Sequence, residues 1–169
     1  MKDKSKTHLG EVQLVIFKLG VEEFGVEINQ VREIVRVVPI TPIPRAPDFI
    51  EGVVNLRGQI LAVIDLAKRM NLPQGQHTEK TRIVVVEVVD NVVGMIVDEV
   101  SEVLRLPLEN IEAAPEIVSS DVAQKYLKGV GKLEDRLLIL LDLGRIFSSE
   151  EMDDLRKTKI VPGAAEDKE

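Results

Sequence analysis

Apolar residues come in short runs of strand length, separated by turns. Val12–Leu19 is rich in Val, Ile and Phe and reads as a strand. Phe24–Ile28 reads as a second strand, Asn29–Arg32 as one helical turn and Ile34–Val38 as a third strand. Pro39, Pro42, Pro44 and Pro47 then forbid regular ladder pairing and predict an ordered loop. Phe49–Leu56 and Gln59–Ile64 flank Arg57-Gly58 as a hairpin, and Asp65 is placed to cap a short helix, Leu66–Met70. The polar stretch Leu72–Lys80 is a linker. Beyond it the order recurs: strands at Arg82–Val89, Val92–Val97 and Val103–Leu106, with a tight turn at Asp90-Asn91. A longer connection, Leu108–Lys125, precedes a hairpin of Leu127–Leu133 and Arg136–Leu141, and Asp142 caps another helical turn.

The recurrence is also one of identity. Gly25, Val31, Glu33 and Arg36 match Gly94, Val100, Glu102 and Arg105 at an offset of 69. Gly52, Val53, Leu56, Asp65 and Leu66 match Gly129, Val130, Leu133, Asp142 and Leu143 at an offset of 77. Self-similarity at fixed offsets marks one structural unit used twice. The tips diverge, Arg57-Gly58 against Glu134-Asp135, which suits a shared scaffold making different contacts. About five short strands per half is the count of a small barrel, which closes its edges. Barrels of ~65 residues are marginal alone and should share part of a core. The expected layout is a tail at 1–10, a first β-barrel subdomain at 11–80 and a second at 81–147. A C-terminal helix follows at 148–157, opened by the capping-box pattern Ser148-Ser149-Glu150-Glu151, and a disordered tail at 158–169.

Composition narrows the function. The net charge is −7 and aromatics are 3%, which argues against a basic nucleic-acid surface and against base-stacking platforms. Cysteine is absent, removing disulfides, thiolate metal sites and thiol catalysis, and fitting a reducing compartment. The first ten residues hold no apolar segment, so no signal peptide is expected, and no run is long enough to span a membrane. His8 and His77 sit in tail and linker without orienting partners, no glycine pattern resembles a phosphate loop, and no calcium-loop spacing occurs. The expectation is a binding module that is not an enzyme, with no cofactor and no metal. Three features offer binding. Arg57 at the hairpin tip is either a solvated turn residue or a planar donor fork for a partner. Ile28 and Val31 with Val97 and Val100 are either core or one groove about a pseudo-two-fold axis. Glu33, with Arg32 beside it between the helical turn and the third strand, is either solvated charge or a binding charge.

These residues carry a resemblance. Phe17–Gly20, Glu22–Ile34 (EEFGVEINQVREI), Phe49–Leu66 (FIEGVVNLRGQILAVIDL), Val93–Val100, Pro115, Leu127–Gly131, Arg136–Leu140 and Ser149–Met152 are similar to CheW-type coupling proteins of bacterial chemotaxis. The similarity runs over about residues 11 to 155, and GVVNLRG is its most specific stretch. It implies a mainly β fold of two SH3-like five-stranded barrels in tandem repeat. It also implies a non-catalytic cytoplasmic adaptor, recruited to membrane-associated arrays, that couples chemoreceptor cytoplasmic tips to the regulatory domain of the CheA histidine kinase. Val15, Ile28, Val31 and Val100 would form an apolar groove for a helical receptor tip. Arg57 would lie at the receptor and kinase contact with Glu33 beside it, and Ile60 is placed with the same partner-binding set. Gly52 and Gly94 would be strand glycines near the contact surfaces. Glu51 departs from the pattern, since relatives often carry Lys there, so a charge contact could be reversed or absent. The reading from a different class is a duplicated small-barrel module binding another ligand such as RNA.

Overall fold

The structure, a computed structural model, describes residues 10–73, 75–88, 90–113 and 126–146. Among these residues eleven strands run in chain order: β1 (Glu11–Leu19), β2 (Glu22–Glu27), β3 (Val31–Arg36), β4 (Ile50–Leu56), β5 (Gln59–Asp65), β6 (Arg82–Val88), β7 (Asn91–Val97), β8 (Glu99–Pro107), β9 (Ile111–Glu112), β10 (Leu127–Lys132) and β11 (Leu137–Leu141). One-turn helices α1 (Leu66–Arg69) and α2 (Leu143–Ile146) follow β5 and β11. Asp65 caps α1, its Oδ1 accepting from the Lys68 amide at 3.1 Å, and Asp142 Oδ1 accepts from the Gly144 amide at 3.0 Å. Both caps match their expected places. The expected helical turn at 29–32 is a 3-10 turn at Ile28–Gln30. Residues 148–157 and 158–169 lie outside the described residues.

The strands form two sheets, β3-β6-β7-β5-β4 and β8-β1-β2-β11-β10-β9. The repeat equates β3 with β8, β6 with β1, β7 with β2, β5 with β11 and β4 with β10, so the two orders are one order. They differ in the added β9, whose bridge to Val130 has its counterpart in the isolated bridge between Thr41 and Val53. Even the irregularities recur: register shifts at Val31/Glu33 in β3 and opposite Val100/Glu102 in β8, and at Ile50/Gly52 and Leu127/Gly129. This is the expected mainly β pair of five-stranded barrels, SH3-like in build.

The strands are not divided between the sheets at residues 80/81. Hairpin β1–β2 belongs to the six-stranded sheet with β8–β11, and hairpin β6–β7 belongs to the five-stranded sheet with β3–β5. Each half therefore lends its first hairpin to the other. The connections are short, one 3-10 turn between β2 and β3 and Asp98 alone between β7 and β8, so the chain passes from one sheet to the other without looping back. Subdomains at 11–80 and 81–147 would each have kept their own hairpin. Contiguity in sequence does not choose strand partners.

The exchange explains the unbroken apolar runs. In β1, Leu14 and Ile16 face one barrel interior with Leu106, Leu138 and Leu140. In β6, Ile83 and Val85 face the other with Val54, Leu56, Leu61, Val63 and Ile96. The alternate residues Val15, Phe17, Val84 and Val86 meet in a third, larger cluster between the barrels, with Phe24, Val26, Ala62, Ile64, Met95 and Val97. A strand buried on both faces loses the alternation of a half-exposed strand. Each fully buried large side chain contributes about 1.5–3 kcal/mol, so the shared core binds the barrels into one body. Phe17 stacks on Phe24 within it, ring centroids 5.9 Å apart.

Candidate functional site

The β4–β5 hairpin closes on Arg57-Gly58, both with positive φ (51° and 88°), the geometry of a primed two-residue turn. The Asn55 Oδ1 accepts from the Gly58 amide at 2.8 Å and steadies it. Left-handed backbone costs an L residue about 1–2 kcal/mol. Arg57 Nη2 meets Glu33 Oε2 on β3 at 2.5 Å, but the arginine side chain is 70% exposed, and an exposed pair returns only about 0–1 kcal/mol. Arg57 therefore does not earn its place through stability. It presents an oriented, solvent-facing guanidinium at the end of a rigid hairpin.

The apolar candidates separate into floor and rim. Val15 is 1% exposed and Val97 0%. Both belong to the shared core, so Val15 cannot be a groove wall as expected: its β1 position faces the other barrel. Ile28, Val31 and Val100 are partly buried and pack against that same core. Val31 lies across from Val86, and Val100 across from Phe17, at repeat-equivalent places on edge strands β3 and β8. They form an apolar rim contributed by both barrels. Ile34 and Val103, also repeat-equivalent and exposed, extend it. Ile60 is half-buried beside the tip, paired with Asn55.

Gly52 and Gly94 are buried and have structural work. A Cβ on Gly52 would lie 2.1 Å from the Thr41 carbonyl oxygen, at a φ of 150°, and one on Gly94 would lie 2.7 Å from Ile83 Cγ2. Substitution at either would distort backbone or core without touching a partner directly. Glu51 is spent inside the chain, its Oε2 taking Lys68 Nζ at 2.9 Å, and that carboxylate raises the lysine pKa.

Two features escaped sequence reading. The second hairpin repeats the tip-to-edge ion pair, with Arg136 bonding Glu102, the repeat partner of Glu33. Its Nε also lies 3.0 Å from Glu23 Oε1, an ion-pair contact too oblique to be a hydrogen bond. The signal was the Glu33/Glu102 identity, hidden because Arg136 sits two places past the position matching Arg57. The other is Arg69, in the wall of an open cavity of about 910 Å³ lined also by Asp48, Phe49, Lys68 and Tyr126. Among the described residues no group of three His, Cys, Asp or Glu could hold a metal ion, and no helix is long and apolar enough to cross a membrane.

Comparison with known proteins bears on this geometry. A family model described as the CheW-like domain matches residues 13–151. The chemotaxis protein CheW of Klebsiella aerogenes is 44% identical over 140 residues, covering 83% of this chain and 84% of that protein. The CheW of Bacillus subtilis is 36% identical over 138 residues, covering 82% and 88%. Among solved structures, the scaffolding protein TtCheW from Thermoanaerobacter tengcongensis is similar with a TM-score of 0.75 at 37% identity, covering 83% of this chain and 90% of that one.

Proposed function

The chain belongs to the CheW-like family, and from that premise we propose that it is a chemotaxis scaffold, a non-catalytic adaptor coupling chemoreceptor tips to the CheA histidine kinase. One observation carries the reading furthest. A rigid body offers an apolar rim at Ile28, Val31 and Val100, and on β3 the same strand that supplies Val31 supplies Glu33, the anchor of the exposed Arg57. Helix-in-groove recognition needs exposed apolar anchors with a polar group that fixes register. The rim supplies the first and the oriented guanidinium the second. The adaptor itself needs no chemistry: it would work by holding two partners on one body, recruited to the membrane through the receptors.

The test is an amide NMR titration of labelled protein, first with a receptor-tip fragment, then with the kinase regulatory domain. The expected result is two localised sets of shifts, one of them on Ile28, Val31, Arg57 and Val100. Shifts from neither partner, or receptor shifts confined to residues away from that rim, would overturn the reading.

A further inference from the structure

Arg69 joins the barrels at one point. It lies on α1, which follows β5 of the five-stranded barrel. Its guanidinium carbon lies 4.7 Å from the Phe49 ring centroid and 5.1 Å from that of Tyr126. Its Nε donates to the Ile146 carbonyl at 2.7 Å. Phe49 leads into β4 of its own barrel, whereas Tyr126 leads into β10, and Ile146 ends α2, both of the six-stranded barrel.

The repeat gives the arrangement its meaning. Phe49 and Tyr126 are counterparts, and both carbonyls accept equivalent bonds, from the Asp65 amide at 2.8 Å and the Asp142 amide at 3.0 Å. Arg69 and Ile146 are counterparts too, at the same offset of 77. One side chain thus grips both members of one equivalent pair and the backbone of its own counterpart, which puts it beside the axis relating the halves. Two arginines facing each other there would repel. One half supplies a cation, and the other supplies a ring face and a carbonyl oxygen, both of which attract it.

We infer that Arg69 is a positioning residue: it fixes the angle between the barrels and thereby the geometry of the partner-binding rim. Val31 comes from β3 of one barrel and Val100 from β8 of the other, and both rest on the shared core that also contains Phe49, Tyr126 and Ile146. A change in the angle between the barrels changes the spacing across the rim. The link to partners rests on the adaptor reading; the link to the angle stands without it. The planar guanidinium matters here, because it lies over two rings while its Nε reaches a carbonyl, which an ammonium cannot do together.

The chain has no cysteine, so exposed Gln59 and Glu134, on the hairpins of the two barrels, can be changed to Cys and spin-labelled without background. Electron–electron distance distributions are compared for Arg69, Arg69→Lys and Arg69→Leu. The expected result is a narrow distribution with Arg69, a broader one with Lys and the broadest, or a displaced one, with Leu, while circular dichroism stays that of the parent. In unlabelled protein, receptor-tip affinity should fall about tenfold for Arg69→Leu, as expected for a site acting through coupling. An Arg69→Leu protein that folds and keeps the parent distribution overturns the inference. Should that variant not fold, Arg69→Lys decides, and a distribution as narrow as the parent's overturns it equally. A broadened distribution with unchanged affinity refutes the positioning role. A parent that binds no receptor tip refutes the adaptor reading and leaves the distance result standing.

Discussion

Replacing Gly52 with alanine would drive a Cβ to 2.1 Å from the Thr41 carbonyl oxygen, 2.7 Å from its carbon and 2.9 Å from Ile40 Cγ2. The first two cannot be relieved by rotating a side chain, because both are backbone atoms. The loop carrying Thr41 must move away from β4. Two backbone hydrogen bonds would go with it, Thr41 N to Val53 O and Val53 N to Thr41 O, both 2.9 Å, at about 1 kcal/mol each. The φ of 150° adds about 1–3 kcal/mol for an L residue. The expected loss is about 3–5 kcal/mol, a large share of the roughly 5–15 kcal/mol by which domains are stable. Two controls isolate the cause. Gly58→Ala has a positive φ with nothing within 4 Å, so it should cost only about 1–2 kcal/mol. Gly129→Ala meets the Glu112 carbonyl oxygen at 2.9 Å and should fall between. Urea unfolding followed by circular dichroism gives the three values, and amide exchange at Thr41 and Val53 reports the bridge. If Gly52→Ala were no more destabilising than Gly58→Ala, the close approach of the loop would not be what requires glycine there.

Further predictions follow from other contacts. Arg57→Glu faces Glu33 with a second carboxylate, yet stability should change by no more than about 1 kcal/mol while calorimetry shows receptor-tip or kinase binding at least about tenfold weaker; unchanged affinity for both would remove Arg57 from the site. Phe17→Ala opens the shared core beside Phe24 and should cost about 3–5 kcal/mol in urea unfolding; a value near 1 would mean the barrels hold together by other means. Hydrogen bonding to Glu51 raises the Lys68 pKa above the ordinary lysine value of 10.5. The pair's contribution is therefore complete below that value and lost as pH climbs through the raised one. Glu51→Gln should flatten this alkaline loss, and an unchanged pH profile would show that the pair contributes nothing.

The repeat was legible because it is written in identities, and the caps because Asp65 and Asp142 act on their own next turns. Strand partners were not. Nothing in Val12–Leu19 says which half will pair with it, since the choice is made by contacts distant in sequence. A trace of the answer was present: Leu14 to Phe17 is apolar at four successive positions, which signals burial on two faces and would have moved Val15 from groove to core. Most sequence strands ran close to the observed ones, but β3 begins at Val31 and ends at Arg36 where Ile34–Val38 was expected, β8 is longer than Val103–Leu106, and β9 sits within the expected connection Leu108–Lys125. The tip and rim residues Arg57, Glu33, Ile28, Val31 and Val100 were found through motif and repeat. Arg69 was invisible because its counterpart is an isoleucine and it lies in none of the quoted motifs.

The lent hairpins have a mechanical consequence. Neither barrel can be assembled from one half of the chain, so a single cut in the linker between α1 and β6 would not release a finished module. The two pieces would stay interlocked, each plugging its hairpin into the other's sheet, and would part only by unfolding together. Separately made halves should accordingly remain incomplete until mixed. For a body loaded from more than one direction, this interlock spreads any pull across both sheets.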